Sequence, residues 1–289
     1  MSSYYQIQCF NCPDHNDIND TICSNCGSTI SEPINVKRAS LSIEIEALGN
    51  RYSNAKDHLL TNGLKKEGDL LEYEVKTKGK AVINTQFGFL WEWLYHNNFS
   101  YESYRRQLIK GARQKANFGN DLNRSIADAI LFGSEPDIIY SALSIDEKGV
   151  ISYGNITLIL KTFSIEKRTT ALECNSFNFI NKIVDNGWTW NTPIPPGFIC
   201  NWSDVFKLVV SKLHDDIKKE IKFDELAKLI LNSTGERSHD EFIELYIYGK
   251  IVASVIEKIK FSRKFTETFS PKESLMLKEL EKKYLVELY

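Results

Sequence analysis

The chain lacks several features that would fix its class at once. No run of about 18 apolar residues occurs in its 289 residues, so no membrane span is expected. The opening MSSYYQIQCFNC has no basic flank followed by an apolar core, so a secretory leader is not expected and the cytoplasm is the expected compartment. Neither sign of charge dominates: 36 Lys and Arg face 38 Asp and Glu, net −2. The chain as a whole therefore does not attract nucleic acid, and any such binding needs a local patch. There is no glycine-rich nucleotide loop, no internal repeat and no low-complexity tract. The five histidines are scattered and support no Ser/His/Asp arrangement. The clustered Asp, Glu and His of a metal-dependent nuclease are missing too, which ranks that reading last.

What is present begins with cysteine. Four of the six cysteines fall in the first 26 residues, as Cys9-Phe-Asn-Cys12 and Cys23-Ser-Asn-Cys26-Gly27 separated by ten residues. Two such knuckles place four thiolates around one tetrahedral Zn²⁺, and Gly27 suits the sharp turn. A disulfide pair is the competing reading, disfavoured in a cytosolic chain. His15, between the knuckles, reads as a loop residue because four sulfurs already fill the shell. Cys174 and Cys200 read as small core residues. Residues 1–33 thus read as a zinc ribbon too small to fold without its metal. A mixed α+β domain over 34–270 and a C-terminal helix over 271–289 follow.

Within the large domain, Ile156–Leu160 is a short β-branched run entered through Tyr153-Gly154-Asn155, expected to be a strand buried on both faces. Arg168-Thr169-Thr170-Ala171 starts a second, more polar strand, and the neighbouring pair is either one wall of a ligand site or a strand pair of an ordinary mixed core. Residues 70–84 alternate on both sides of Lys78-Gly79-Lys80, which predicts a hairpin. The aromatic stretch Phe87–Tyr95 fits either period, with a helix preferred. Residues 50–62, 202–213 and 223–231 predict helices. Residues 101–116 predict a helix whose cations Arg105, Arg106, Lys110, Arg113 and Lys115 have no acid among them. Such a run is either a solvated face or a phosphate-contacting surface. Trp188–Pro196 reads as a rigid loop able to cover a cleft. In residues 240–249, Phe242, Glu244, Tyr246 and Tyr248 would share one face of a strand and Ile243, Leu245 and Ile247 the other. An acid among aromatics is either paired within the core or a catalytic carboxylate in a cleft.

The order of these pieces resembles the ADP-ribosyltransferase toxin-like domains of bacteria over about residues 70–262. The pieces are Leu122-Asn123-Arg124-Ser125 on a helix, Tyr140-Ser141-Ala142-Leu143, Tyr153-Gly154 before a buried strand, Arg168-Thr169-Thr170, and Glu244 on a strand ending in Tyr-Gly. The resemblance implies a split mixed sheet clasping NAD⁺ as co-substrate. It gives Glu244 the catalytic role at the nicotinamide ribose, Thr169 and Thr170 the hydroxyl strand, and Tyr153 the pocket wall. Two departures stand out. The early strand that should carry an Arg or His is not evident, and Val82-Ile83-Asn84-Thr85 offers Asn84 there, so Arg124 is the substitute anchor. Position 242 is Phe, where protein-directed members would have Glu or Gln. With these departures the resemblance leads to the expectation of an NAD-dependent toxin or phage-defence effector, acting on nucleic acid (RNA before DNA) or an associated protein, with an inhibitor or antitoxin protein as an implied partner. The rival is a non-enzymatic zinc-ribbon adaptor that binds nucleic acid or protein.

Overall fold

The computed structural model describes residues 6–8, 14–17, 23–27, 33–95, 100–103, 106–107, 129–132, 137–176, 178–179, 195–237 and 239–289. Cys9, Cys12, Arg105, Lys110, Arg113, Lys115 and Arg124 lie outside these, as does the loop 188–194. The chain opens with β1 (Gln6–Gln8) and β2 (His15–Asp17), an antiparallel pair with Gln8 opposite His15, so His15 is a strand residue rather than a loop one. Helices α1 (Ile34–Ala39), α2 (Ser42–Thr61) and α3 (Lys65–Lys78) follow, then β3 (Lys80–Thr85), α4 (Phe87–Tyr95) and β4 (Ile138–Ser144). Next come β5 (Ile156–Leu160), β6 (Thr169–Leu172), β7 (Ile199–Asn201), α5 (Val205–Leu213), α6 (Phe223–Ile230) and the small pair β8 (Leu231–Asn232) and β9 (Glu241–Phe242). β10 (Glu244–Tyr248), β11 (Ile256–Phe261), α7 (Pro271–Glu281) and β12 (Val286–Leu288) complete the chain.

The fold is mixed α+β, built on one sheet in the order β12-β11-β5-β3-β4-β10-β6-β7. Every pairing in it is antiparallel except β11 with β12. The alternation along β10 sets its two faces. Ile243, Leu245 and Ile247 enter the main core with the buried positions of α2, α3, α5 and α6, while Phe242, Tyr246 and Tyr248 enter two smaller clusters on the opposite face. All five residues of β5 are buried, as a strand covered on both sides requires.

The central strand divides its partners. β3 pairs with β4 through Lys80, Ala81 and Val82, and with β5 through Val82, Ile83, Asn84 and Thr85. Val82 is the residue common to both ladders, so beyond it β3 follows β5 and leaves β4. The chain therefore does have an early strand at 80–85, with Asn84 on the same face as Val82.

Several expectations give way. The hairpin expected over 70–84 is a helix followed by a strand. Leu71 and Val75 are buried while Tyr73 between them is 60% exposed, so the true period is helical. Gly68 completes that buried face, and a Cβ there would meet Leu59 Cδ1 at 2.6 Å. β5 and β6 are not neighbours: β3, β4 and β10 lie between them. Tyr101 is not helical but bridges Ile251. The C-terminal segment is a helix only to Glu281. Val286–Leu288 then joins the sheet, with Ile259 opposite Val286 and Phe261 opposite Leu288, so 271–289 is part of the sheet domain.

Candidate functional site

Glu244 opens β10. It stands opposite Leu172 on one side and Ala142 on the other; Ala142 pairs with Val82, and Val82 with Ile159. One row thus runs Leu172, Glu244, Ala142, Val82, Ile159 across five strands. Glu244 lies two strands, roughly 9–10 Å, from the point where β3 changes partners. Ala142 is the smallest side chain in that row, so little bulk separates the carboxylate from the parting.

The carboxylate is 2% exposed. Its Oε2 accepts the backbone N–H of Ser176 at 2.7 Å and the Tyr246 hydroxyl at 3.2 Å. The Tyr246 ring meets Phe132 and Tyr140 edge-on at 5.4 and 5.5 Å. Glu244 therefore has a fixed orientation between an apolar aromatic cluster and a polar loop. The segment that carries Ser176 is itself tied down. Asn175 Nδ2 donates to Asp240 C=O at 2.7 Å, and Asn175 Oδ1 accepts Asn178 N–H at 2.8 Å. Asp240, fully buried, accepts Thr234 N–H (2.8 Å), the Ser233 hydroxyl (3.1 Å) and the Ser152 hydroxyl. It joins the β8–β9 turn to the Tyr153 segment.

Tyr153 packs on the cluster that contains Val82, Ala142, Ile159 and Phe242, which places it on the Glu244 face. The guanidinium of Arg237 sits 4.7 Å from its ring centroid, a cation–π arrangement. Asn84 holds this segment in place. Its Oδ1 accepts Val150 N–H at 2.7 Å, and its Nδ2 donates to Gly154 C=O at 3.0 Å and to the Thr157 hydroxyl at 3.3 Å. Asn84 thus serves the strand entrance.

Thr169 and Thr170 point to opposite faces, as adjacent strand residues must. The Thr169 hydroxyl donates to Ile165 C=O at 2.7 Å. Thr170, opposite Tyr246 and diagonal to Glu244, accepts from Asn35 Nδ2 at 3.3 Å. Both are fully buried. Arg168 is placed at the far end of β10, about 13 Å from Glu244 along the strand. It is 1% exposed, and it donates to the carbonyls of Tyr248, Lys250 (3.0 Å) and Ser164 (3.4 Å). Burial pushes its guanidinium down to about 10, which leaves it protonated at neutral pH. Its work is to hold chain ends together. Arg106, from the basic run, pairs with Asp137 at the start of β4 and is thereby tied to the sheet.

At the N-terminus, Cys23 is buried and Cys26 exposed. Gly27, at φ +68°, donates its N–H to Cys23 C=O at 3.0 Å, closing the turn over 24–26. Asn16 on β2 donates to Cys23 Sγ at 3.3 Å and accepts Ser24 N–H at 2.7 Å. An amide donor aimed at sulfur stabilises thiolate charge, so Cys23 and Cys26 fit a metal knuckle. Cys23 shares an apolar cluster with Ala39, Phe132 and Tyr246, which seats the cysteine turn on the Glu244 face of the sheet. Cys174 and Cys200 are buried, and burial pushes the Cys200 thiol well above its usual range, against a nucleophilic role.

Sequence reasoning passed over Ser176, Asn175 and Asp240. Tyr246 was readable as a face-mate of Glu244 at i+2, but a backbone N–H from a distant loop leaves no signal in composition or period. Among known proteins, no family model matches this chain and no curated protein matches it. Among the described residues, no helix is long and apolar enough to cross a membrane.

Proposed function

We propose that this chain is an NAD⁺-dependent ADP-ribosyltransferase-like effector with an N-terminal zinc ribbon. The observation that carries the reading is the placement of Glu244. It is a buried, oriented carboxylate in register with the residue at which the sheet parts, on the face that also holds Tyr153. The resemblance calls for a sheet split around NAD⁺, and a central strand that changes partners at Val82 supports that geometry. In the proposed reaction the bond from ribose C1′ to the nicotinamide nitrogen breaks and its electron pair leaves with nicotinamide. Glu244 stabilises the positive charge growing at C1′, an interaction strongest where water is excluded. A lone pair on an acceptor oxygen or nitrogen then bonds to C1′, and that atom loses its proton.

Tyr153 would line the pocket. Arg237, stacked on Tyr153, is a positioned cation for the dinucleotide phosphates, in addition to the substitute anchor Arg124 that the sequence suggests. Thr170 would brace the Glu244 strand from within rather than touch NAD⁺. Cys9, Cys12, Cys23 and Cys26 would hold a structural Zn²⁺. Nucleic acid, RNA before DNA, is the proposed acceptor class, and an antitoxin-type inhibitor the proposed partner. The experiment is incubation of the purified chain with NAD⁺, alone and with RNA, while nicotinamide release and label transfer from adenylate-labelled NAD⁺ are followed. Neither release nor transfer under any acceptor would refute the enzyme reading.

The adaptor reading draws on one observation, that Glu244 is already satisfied by Ser176 and Tyr246. Under it, Glu244→Gln lowers stability and changes nothing else.

A further inference from the structure

Among the described residues, one group of ligand-type side chains outside the Glu244 face brings three donor atoms within 4.8 Å of one another: His58, His214 and Asp215. His58 lies in the last turn of α2, and His214 and Asp215 directly follow α5, which packs along α2. Asp215 Oδ1 is 3.6 Å from His58 Nδ1 and 3.4 Å from His214 Nε2. Metal–ligand bonds of about 2.0–2.1 Å in a tetrahedron separate neighbouring ligand atoms by about 3.3 Å. Both distances are therefore within a few tenths of an ångström of that edge. His214 Nδ1 lies 3.0 Å from Ser211 C=O, and in the tautomer that donates this bond the Nε2 atom, 3.4 Å from Asp215 Oδ1, carries the lone pair. A ligating histidine whose other nitrogen is held by a backbone carbonyl has its ring orientation fixed in advance.

We infer that His58, His214 and Asp215 form a binding site for a divalent transition-metal ion of the zinc class, with His58 Nδ1, His214 Nε2 and an Asp215 oxygen as ligands and water in the fourth position. Two imidazoles and one carboxylate suit a borderline ion, whereas Mg²⁺ and Ca²⁺ require all-oxygen shells. The bound ion cross-links the end of α2 to the end of α5, two helices of the layer behind the sheet. The site stands apart from the turn at Cys23 and Cys26, which sits on the other face of the sheet, and does not depend on the proposed NAD⁺ chemistry.

The test is equilibrium dialysis of the full-length chain against micromolar Zn²⁺ or Ni²⁺, with bound metal counted per chain. Wild type is compared with His58→Ala, His214→Ala and Asp215→Asn. These side chains are 43%, 25% and 73% exposed, so their replacement leaves the core intact, and metal-free melting curves check it. The expected result is one metal ion fewer in each variant than in wild type, with Asp215→Asn the mildest change in structure. Equal stoichiometry in wild type and all three variants overturns the site. So does a loss confined to Cys23→Ser, which would assign all bound metal to the cysteines.

Discussion

Gly154 stands between Tyr153 and β5, at φ 154° and ψ 160°, a backbone region essentially restricted to glycine. A Cβ built there would lie 2.2 Å from Thr85 C=O oxygen and 2.4 Å from its carbon. These are backbone atoms of β3, so no side-chain rotation relieves the clash. In Gly154→Ala either the end of β3 or the entrance to β5 must move by about 1 Å. Overpacking of this kind costs about 1–3 kcal/mol. The disallowed conformation adds roughly 1–3 kcal/mol, for a sum near 4 kcal/mol. In a chain this long, 1 kcal/mol shifts the melting midpoint by about 2–4 °C, so the drop should approach 10 °C. Gly235→Ala is the control. Its φ is +90°, yet the nearest atom to its Cβ is Ile151 Cδ1 at 3.8 Å, so only a conformational cost of about 1–2 kcal/mol applies. Thermal melts of both variants provide the assay. Equal midpoints for the two would refute the argument that β3 and the Tyr153 turn are locked by backbone contact.

Three further outcomes follow from named contacts. Arg168→Met removes a charged donor from the buried carbonyls of Tyr248 and Lys250, and chemical denaturation should show a loss of about 3 kcal/mol. Arg51→Ala removes the ion pair with Glu173, which is 4% exposed, and should cost about 3 kcal/mol; a double-mutant cycle with Glu173→Gln should show strong coupling, and additivity would contradict the pairing. Glu147 is pushed up by burial but pulled further down by its hydrogen bond to Lys258 and by the charges of Lys258 and Lys260, so its folded carboxyl titrates below the usual range. A depressed carboxyl contributes stability that is present above the unfolded value, about 4.3, and is lost as pH falls through the lower folded value. Melting midpoints should therefore fall more steeply below about pH 4 in wild type than in Glu147→Gln.

Elements whose period is set by burial were legible in the sequence. β10, α5 and α6 each show a face that one local pattern describes, and β5 reads as a short apolar run buried on both faces. Residues 65–78 misled because Leu71, Tyr73 and Val75 mimic alternation, and only the exposure of Tyr73 separates the two periods. The adjacency of strands had no local trace. β5 and β6 are consecutive in sequence, yet three strands lie between them, because β10, late in the chain, pairs with both β4 and β6. The same non-local pairing set most of the site. Glu244 could be named from its aromatic neighbours, whereas Ser176, Asn84 and the pairing of His58 with His214 needed the fold. Asn84 shows the limit well: it stands where the resemblance expects an anchoring Arg or His, and only the structure gives it its work, three hydrogen bonds to the turn at 149–157.

Nicotinamide release by wild type and by Glu244→Gln, with equal amounts of folded protein by near-UV circular dichroism, tests the central claim most directly. The substitution keeps the side chain's size and one oxygen able to accept from Ser176 N–H, while it removes the charge and turns the second oxygen into an NH2 donor. Loss of one preorganised electrostatic group typically lowers turnover by about 10²–10³-fold. The account predicts a fall of that order with the fold retained; NAD⁺ turnover that is unchanged in the variant would contradict it.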